Sequence, residues 1–218
     1  MTQQAQWTRV TTAGELMDAV RSEVPAIDVS GVLRGMPMLT MPPGVRLRGG
    51  TLVFGDLDRL DVRAPLTTHG VGARGFNVYD GTLQHAEFDS ITTTGDGAIG
   101  VQVSRDLPQL DIRGDLTTSG GTGSSLVRGV QTGLAATALS VKPGGRIGRV
   151  TVGGRIASEG DRLTTVEVDG ELDSLTARGG ISAAGRGADA VHVGDFALDL
   201  SGVTITAVHG RAVVQSTN

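Results

Sequence analysis

The chain of 218 residues is long enough to bury one substantial core, and its formal net charge of −4 gives no basic excess that would indicate nucleic-acid binding. It has 34 glycines, no cysteine and only 3% aromatic residues, which excludes disulfides and thiolate metal sites and favours many short strands. No apolar run approaches the roughly 18 residues of a membrane span, and the polar start lacks a signal-peptide core. We therefore expect a cytoplasmic protein, although a fragment of a secreted protein would have the same features.

The segment 12–24 predicts a short amphipathic capping helix that follows a polar arm at residues 1–11. Thr12 and Glu15 have the spacing of a capping box, in which each side chain caps the other residue's backbone amide. Apolar residues continue at helical spacing until a proline ends the pattern. After the helix, short alternating runs separated by glycine and proline predict the first strands of a β region that covers residues 25–218.

From residue 60 onward, an internal repeat dominates the sequence. An apolar residue is followed by two small or hydroxylated residues, and a glycine comes four positions after the apolar one. The apolar residues are Leu66, Ile91, Leu116, Ile156 and Ile181, at spacings of 25, 25, 40 and 25, and the glycines are Gly70, Gly95, Gly120, Gly160 and Gly185. A unit of this length cannot bury its own apolar face, so the repeat predicts a solenoid of stacked coils.

Each repeat unit predicts two strands, one on either side of its glycine. In the second strand, alternation places residues such as Val101 and Val103 inside and Gln102 outside. The first strand of the unit that ends at Ile91 is less regular, and we expect Ala86 and Phe88 to be shifted by one position. The recurring glycine indicates a tight corner that needs positive φ or close approach of neighbouring backbones.

The unit of 40 residues contains an insertion, which we place at residues 119–133. The favoured alignment makes Leu139 and its neighbours the second strand of this unit. The alternative places the insertion at 129–143, but Arg128 would then point into the core. Loops in repeat proteins often carry function, so the polar side chains of the insertion are the candidate binding residues. They are Ser119, Thr122, Ser124, Ser125, Arg128 and Gln131.

Two stretches of the sequence resemble known β-helix families. The amino-terminal helix followed by Ala26–Leu33 and Pro43–Gly49 resembles the entry to right-handed parallel β-helix proteins of the pectate-lyase superfamily. The repeat Ile91–Val103 resembles the passenger repeats of bacterial autotransporter adhesins. The resemblance implies an all-β, single-stranded, right-handed parallel β-helix of about six or seven coils, with the helix covering its amino end.

A charged face allows two functional interpretations. Asp61, Arg63, Asp111 and Arg113 fall on the outward side of the first strand, as do Glu87, Asp89 and Arg178. They form either a charge ladder between coils or the site of a small carbohydrate-active β-helix enzyme, a lyase or isomerase; the resemblance to pectate lyases implies carboxylates and an arginine base on this face. No further catalytic motif occurs, so the leading interpretation is a non-catalytic scaffold or adhesin-like module that presents the inserted loop.

The sequence also bears on partners and assembly. The four histidines are dispersed without metal-ligand spacing, and we expect no metal and no cofactor. The expected partner is an unidentified protein or glycan, with no nucleic acid and no membrane. After the final apolar run at 212–214 no second amphipathic helix follows, so open strand edges favour a homo-oligomer, most simply a two-fold dimer.

Overall fold

The computed structural model describes residues 7–29, 46–48, 56–79, 81–127 and 130–216. Most of the described residues lie in strands, which stack in parallel into a β-solenoid of about six turns. This confirms the predicted fold class. The described residues contain one α-helix, which lies at the amino end.

Helix α1 (Ala13–Arg21) closes the amino end of the core and begins at the predicted capping box. Thr12 Oγ1 accepts a hydrogen bond from the Glu15 amide at 3.2 Å, and the Glu15 carboxylate accepts one from the Thr12 amide at 3.2 Å. Two amides that would lack a partner in the first helical turn are thereby satisfied. Leu16 and Val20 are buried in the same cluster as the strand residues, so the apolar face of the helix covers the first coil.

Strand β1 (Thr8–Val10) precedes the helix, within the segment expected to be a polar arm. It pairs in parallel with β2 (Ala26–Val29), and its last residue is buried. Strand β3 (Arg46–Arg48) continues this sheet beside β2. The other early strands expected between residues 30 and 55 lie outside the described residues.

The remaining strands form the stacked coils and one hairpin. In the first half they are β4 (Asp56–His69), β5 (Arg74–Val78), β6 (Thr82–Thr94), β7 (Ile99–Val103), β8 (Asp106–Ile112), β9 (Leu116–Ser119), β10 (Thr122–Val127) and β11 (Val130–Ala135). In the second half they are β12 (Leu139–Val141), β13 (Arg146–Val152), β14 (Ile156–Ser158), β15 (Thr164–Val168), β16 (Glu171–Ala177), β17 (Ile181–Arg186), β18 (Asp189–Val193), β19 (Ile205–His209) and β20 (Val213–Gln215).

Equivalent strands of successive coils pair in register, as the repeat requires. The smaller parallel sheet runs in the order β5-β7-β12-β15-β18-β20, and the larger sheet contains the first strands of all coils. Leu139 lies opposite Val101 on one side and Val166 on the other. Strand β12 is therefore the second strand of the long unit, and the extra residues lie before it.

The core consists of aliphatic columns that run along the solenoid. The predicted inward valines of the second strand are all buried: Val101, Val103, Val166, Val168, Val191 and Val193. Of the outward residues between them, Glu167 and His192 are partly exposed and Gln102 is buried. The amide oxygen of Gln102 accepts a hydrogen bond from Arg74 Nε at 3.3 Å. Phe76 and Phe88 pack against each other in this core, with ring centroids 4.8 Å apart.

The irregular copy of the first strand is shifted as predicted. Ala86 lies opposite Leu60 and Phe88 lies opposite Val62, both buried. A register irregularity just after Val62 absorbs the missing residue, so that Ile91 returns to its column. The side-chain period of two makes this correction necessary, because an uncorrected slip would turn the next apolar residues outward.

The glycine column is explained by backbone contact at the corner. Gly95 has φ +125°, and a Cβ at this position would lie 2.5 Å from the Gly70 carbonyl oxygen of the preceding coil. At Gly120, Gly160 and Gly185 an added Cβ would collide in the same way with the glycine of the coil before. Only glycine allows the coils to stack at this corner.

Candidate functional site

The inserted residues form a β-hairpin. Strands β10 and β11 pair antiparallel, from Thr122 opposite Ala135 to Val127 opposite Val130. Residues 128–129 connect them and lie outside the described part of the chain. Within that part, β10 and β11 pair only with each other, so the hairpin is a separate two-stranded sheet beside the solenoid.

One face of the hairpin is docked on the corner of two earlier coils. A Cβ at Gly72 would lie 2.6 Å from Ser125 Cβ, and a Cβ at Gly97 would lie 3.0 Å from Leu134 Cβ. Both glycines also have positive φ, at +66° and +69°. The corner glycines thus provide the turn and the space, and the hairpin lies directly against a rigid support.

The opposite face of the hairpin carries polar side chains into solvent. Because side chains alternate along a strand, Thr122 and Ser124 point away from the corner when Ser125 points toward it. Thr122, Ser124 and Gln131 are exposed. Gln131 Nε2 donates to Ser124 Oγ at 2.6 Å across the two strands, which orders both side chains. We call Thr122, Ser124 and Gln131 the outer hairpin face.

Two valines are among the exposed large apolar side chains of the described residues. Val130 at the start of β11 is 64% exposed, and Val71 is 63% exposed beside the glycine that Ser125 covers. Neither residue was singled out from the sequence. A signal exists for Val71, because the equivalent corner position is charged in three of the other four coils, at Asp96, Asp161 and Arg186, and is Gly121 in the fourth.

The six predicted binding residues do not all share this surface. Ser119 ends β9 in the solenoid itself, and Ser125 faces the supporting corner. Arg128 lies outside the described residues. The structure brings together the other three, which form the outer hairpin face.

The predicted charged face is an ion-pair network across three coils. Asp61, Glu87 and Asp111 lie opposite one another in β4, β6 and β8. Arg113 donates to Asp89 Oδ1 and approaches Glu87 Oε1, both at 2.5 Å, and reaches Asp61 Oδ1 at 3.4 Å. A single guanidinium at the end of β8 therefore joins three carboxylates from two other coils, one in β4 and two in β6. Partial burial lowers the pKa of Arg113, but these contacts outweigh it, and the pKa lies above its usual value.

Two further arginines pair with the same acids. Arg63 Nη2 donates to Asp61 Oδ2 at 2.6 Å, and Arg59 pairs with Glu87. With three arginines against the four carboxylates of this face, the network is close to neutral. Its members are mostly less than 40% exposed, so solvent screens them only in part.

His85 lies in the centre of the network with both ring nitrogens engaged. Arg59 Nη1 lies 2.8 Å from His85 Nδ1, and His85 Nε2 lies 2.8 Å from Asp111 Oδ2. A guanidinium only donates, so Nδ1 must accept and Nε2 must carry the proton that it donates to Asp111. Partial burial raises the pKa of the Asp111 carboxyl, but hydrogen bonds from Gln109, His85 and Thr151 outweigh it, and the pKa lies below its usual value.

The chemistry of this face is therefore that of paired charges. A general base needs a lone pair directed at substrate, whereas the Nδ1 lone pair of His85 accepts from Arg59. Arg63 and Arg113 each donate to Asp61, and Asp111 joins them through His85, Arg59 and Glu87. Among the residues that the structure describes, no group of three or more His, Asp or Glu side chains could hold a metal ion.

Comparisons with known proteins identify no relative: no family model matches the sequence, and neither the curated proteins nor the solved structures provide a match. Within the described ranges, no helix is long and apolar enough to cross a membrane.

Proposed function

We propose that the protein is a non-catalytic scaffold, an adhesin-like binding module that presents the β10–β11 hairpin to a protein or glycan partner. The observation that supports this most directly is the placement of the hairpin. It interrupts the coil repeat, it rests on the Gly72 and Gly97 corner, and it exposes its outer hairpin face. A rigid support reduces the ordering entropy that binding would otherwise cost.

The chemistry of the surface fits a partner with both polar and apolar groups. Thr122, Ser124 and Gln131 offer hydroxyl and amide groups, which bind equally well to peptide groups and sugar hydroxyls. Val130 at the start of β11 and Val71 at the supporting corner add exposed apolar side chains. No formal charge occurs among these five residues, so binding should depend only weakly on salt.

The experiment replaces residues 122–135 with a short Gly-Ser turn and screens both chains on an array of defined glycans and purified proteins. We expect the parent chain to bind specific probes and the shortened chain to lose that binding while keeping its circular dichroism spectrum. The double variant Ser124→Ala/Gln131→Ala should lose it too, and Thr176→Ala, an exposed threonine on another coil, should not.

Two results would contradict the proposal. The first is full binding by the shortened chain, which would place the contact elsewhere. The second is unchanged binding by the Ser124→Ala/Gln131→Ala variant, which alters only the outer hairpin face. This second variant keeps the proposal testable if the shortened chain does not fold, because neither of its side chains touches the core.

The alternative function, a small carbohydrate-active lyase or isomerase acting at the charged face, has weaker support. Its four residues Asp61, Arg63, Asp111 and Arg113 have neighbouring charges as partners rather than a common open centre. Opposite charges on neighbouring strands stabilise a sheet, so the stacking of coils is enough to explain this pairing. We therefore place the functional surface at the hairpin.

A further inference from the structure

The last coil presents strand edges to which nothing is paired within the described residues. The larger sheet ends at β19 and the smaller one at β20, each bonded on one side only. In earlier coils, the amide of the column residue donates forward to the next coil: Leu116 to Arg155 O, Ile156 to Gly180 O and Ile181 to Thr204 O. By this pattern the amides of Ile205 and Ala207 point away from the solenoid.

Apolar residues in this coil are exposed where their counterparts are buried. Val191 is fully buried, whereas Val213, the next residue in the same column, is 47% exposed. Ile181 is likewise buried, whereas Ile205 opposite it is only partly so. Among the described residues, no coil covers Val213 and Ile205, which leaves an apolar surface bordered by strand edges in the 218-residue chain.

The geometry of this surface restricts what can cover it. A partner must supply two strand edges at the spacing of the two sheets, with apolar side chains between them. The end of another solenoid of this kind does so. The amino end of this chain is covered by α1, with Leu16 and Val20 packed on the first coil, so it cannot serve as that partner.

We propose that the last coil pairs with the last coil of a second copy, so that two solenoids join tail to tail about a two-fold axis. The two-fold axis makes the joined strands antiparallel, and the outward amides of Ile205 and Ala207 find acceptors in the other copy. Stacking the two ends buries Val213 in both copies. The same surface serves both subunits, so the assembly closes at two.

Charge does not oppose this contact. Between residues 194 and 216 the charged side chains are Asp195, Asp199 and Arg211, which gives a formal net charge of −1 for the coil. Arg211 is held by Asp189 of the preceding coil at 2.8 Å. Two such ends can approach with little repulsion, whereas the hydrophobic gain is proportional to the apolar area that they cover.

The test measures mass in solution by sedimentation equilibrium, using the 218-residue chain and two variants. We expect the parent chain to have twice the 22.3 kDa of one copy. Ala207→Pro removes an outward amide without touching the bonds to β17, and Val213→Asp places a charge in the contact. Each should raise the dimer dissociation constant by at least about tenfold, which is the usual effect of removing an anchor residue.

The control is Val71→Asp, which makes the same change at an exposed valine far from the last coil and should leave the dimer intact. A parent chain of 22.3 kDa at high micromolar concentration would overturn the proposal, as would open-ended oligomers or an Ala207→Pro dimer of parental affinity. If Ala207→Pro fails to fold, Val213→Asp decides, because its side chain is already half exposed. Loss of probe binding in the hairpin variants would leave this result unchanged.

Discussion

The substitution Val166→Asp tests the register of the solenoid. Val166 is fully buried and lies opposite Leu139 and Val191 in the smaller sheet. Losing the buried apolar side chain costs about 1.5 kcal/mol or more, and an unpaired carboxylate in a dry core adds several kcal/mol. A total above about 4 kcal/mol is a large part of the 5–15 kcal/mol that stabilises a typical domain.

The assay is thermal unfolding followed by circular dichroism. For a chain of this size about 2–4 °C is lost per kcal/mol, so Val166→Asp should melt on the order of 10 °C or more below the parent chain. The control Val71→Asp makes the same change at a side chain that is 63% exposed, and it should stay within about 2 °C of the parent. A Val166→Asp variant that melts as high as this control would refute the register, since the side chain would then have to be in solvent.

Two further predictions concern the corner and the pH dependence of stability. Gly97→Ala should cost about 1–3 kcal/mol more than Gly187→Ala in chemical denaturation, because φ is similar at +69° and +61° but only the first Cβ would press on the hairpin; equal losses would show that the hairpin is not held there. Hydrogen bonds from Arg211 lower the pKa of Asp189, so this carboxylate stabilises the fold above its usual unfolded pKa of about 4, and the contribution is lost as pH falls through the lower folded value. Asp189→Asn should therefore flatten the fall in melting temperature below about pH 4, and a variant with the parent slope would contradict this.

The repeat in the sequence was enough to predict the coil. Apolar residues at spacings of 25 identify one column of the core, and the glycine four positions later identifies the corner. Residues one repeat apart are therefore expected to pair in neighbouring coils. The one-residue shift at Ala86 and Phe88 was also predictable from the sequence. Side chains alternate between the two faces of a strand, so apolar residues displaced by one position break the repeat pattern. The capping box of α1 was predictable for a similar reason, since it depends on residues three positions apart.

The candidate site was predictable only in position. Polar composition and extra length located the insertion, and three of its six proposed residues form the outer hairpin face. Which side chains face outward depends on the pairing of β10 with β11 and on the contact of Ser125 with Gly72. That contact joins residues 53 positions apart, and a one-dimensional pattern carries no information about it.

The sequence by itself determined the solenoid, its core columns and its closed amino end, because each depends on local periodicity that stacking repeats from coil to coil. The tertiary structure decided the rest. It placed Arg113 against Asp61, 52 residues earlier, and it placed the ring of His85 between Arg59 and Asp111. Such contacts arise only when coils are superposed, since the partner of a side chain on a stacked sheet is set by its neighbour in the next coil and not by its neighbour in the chain.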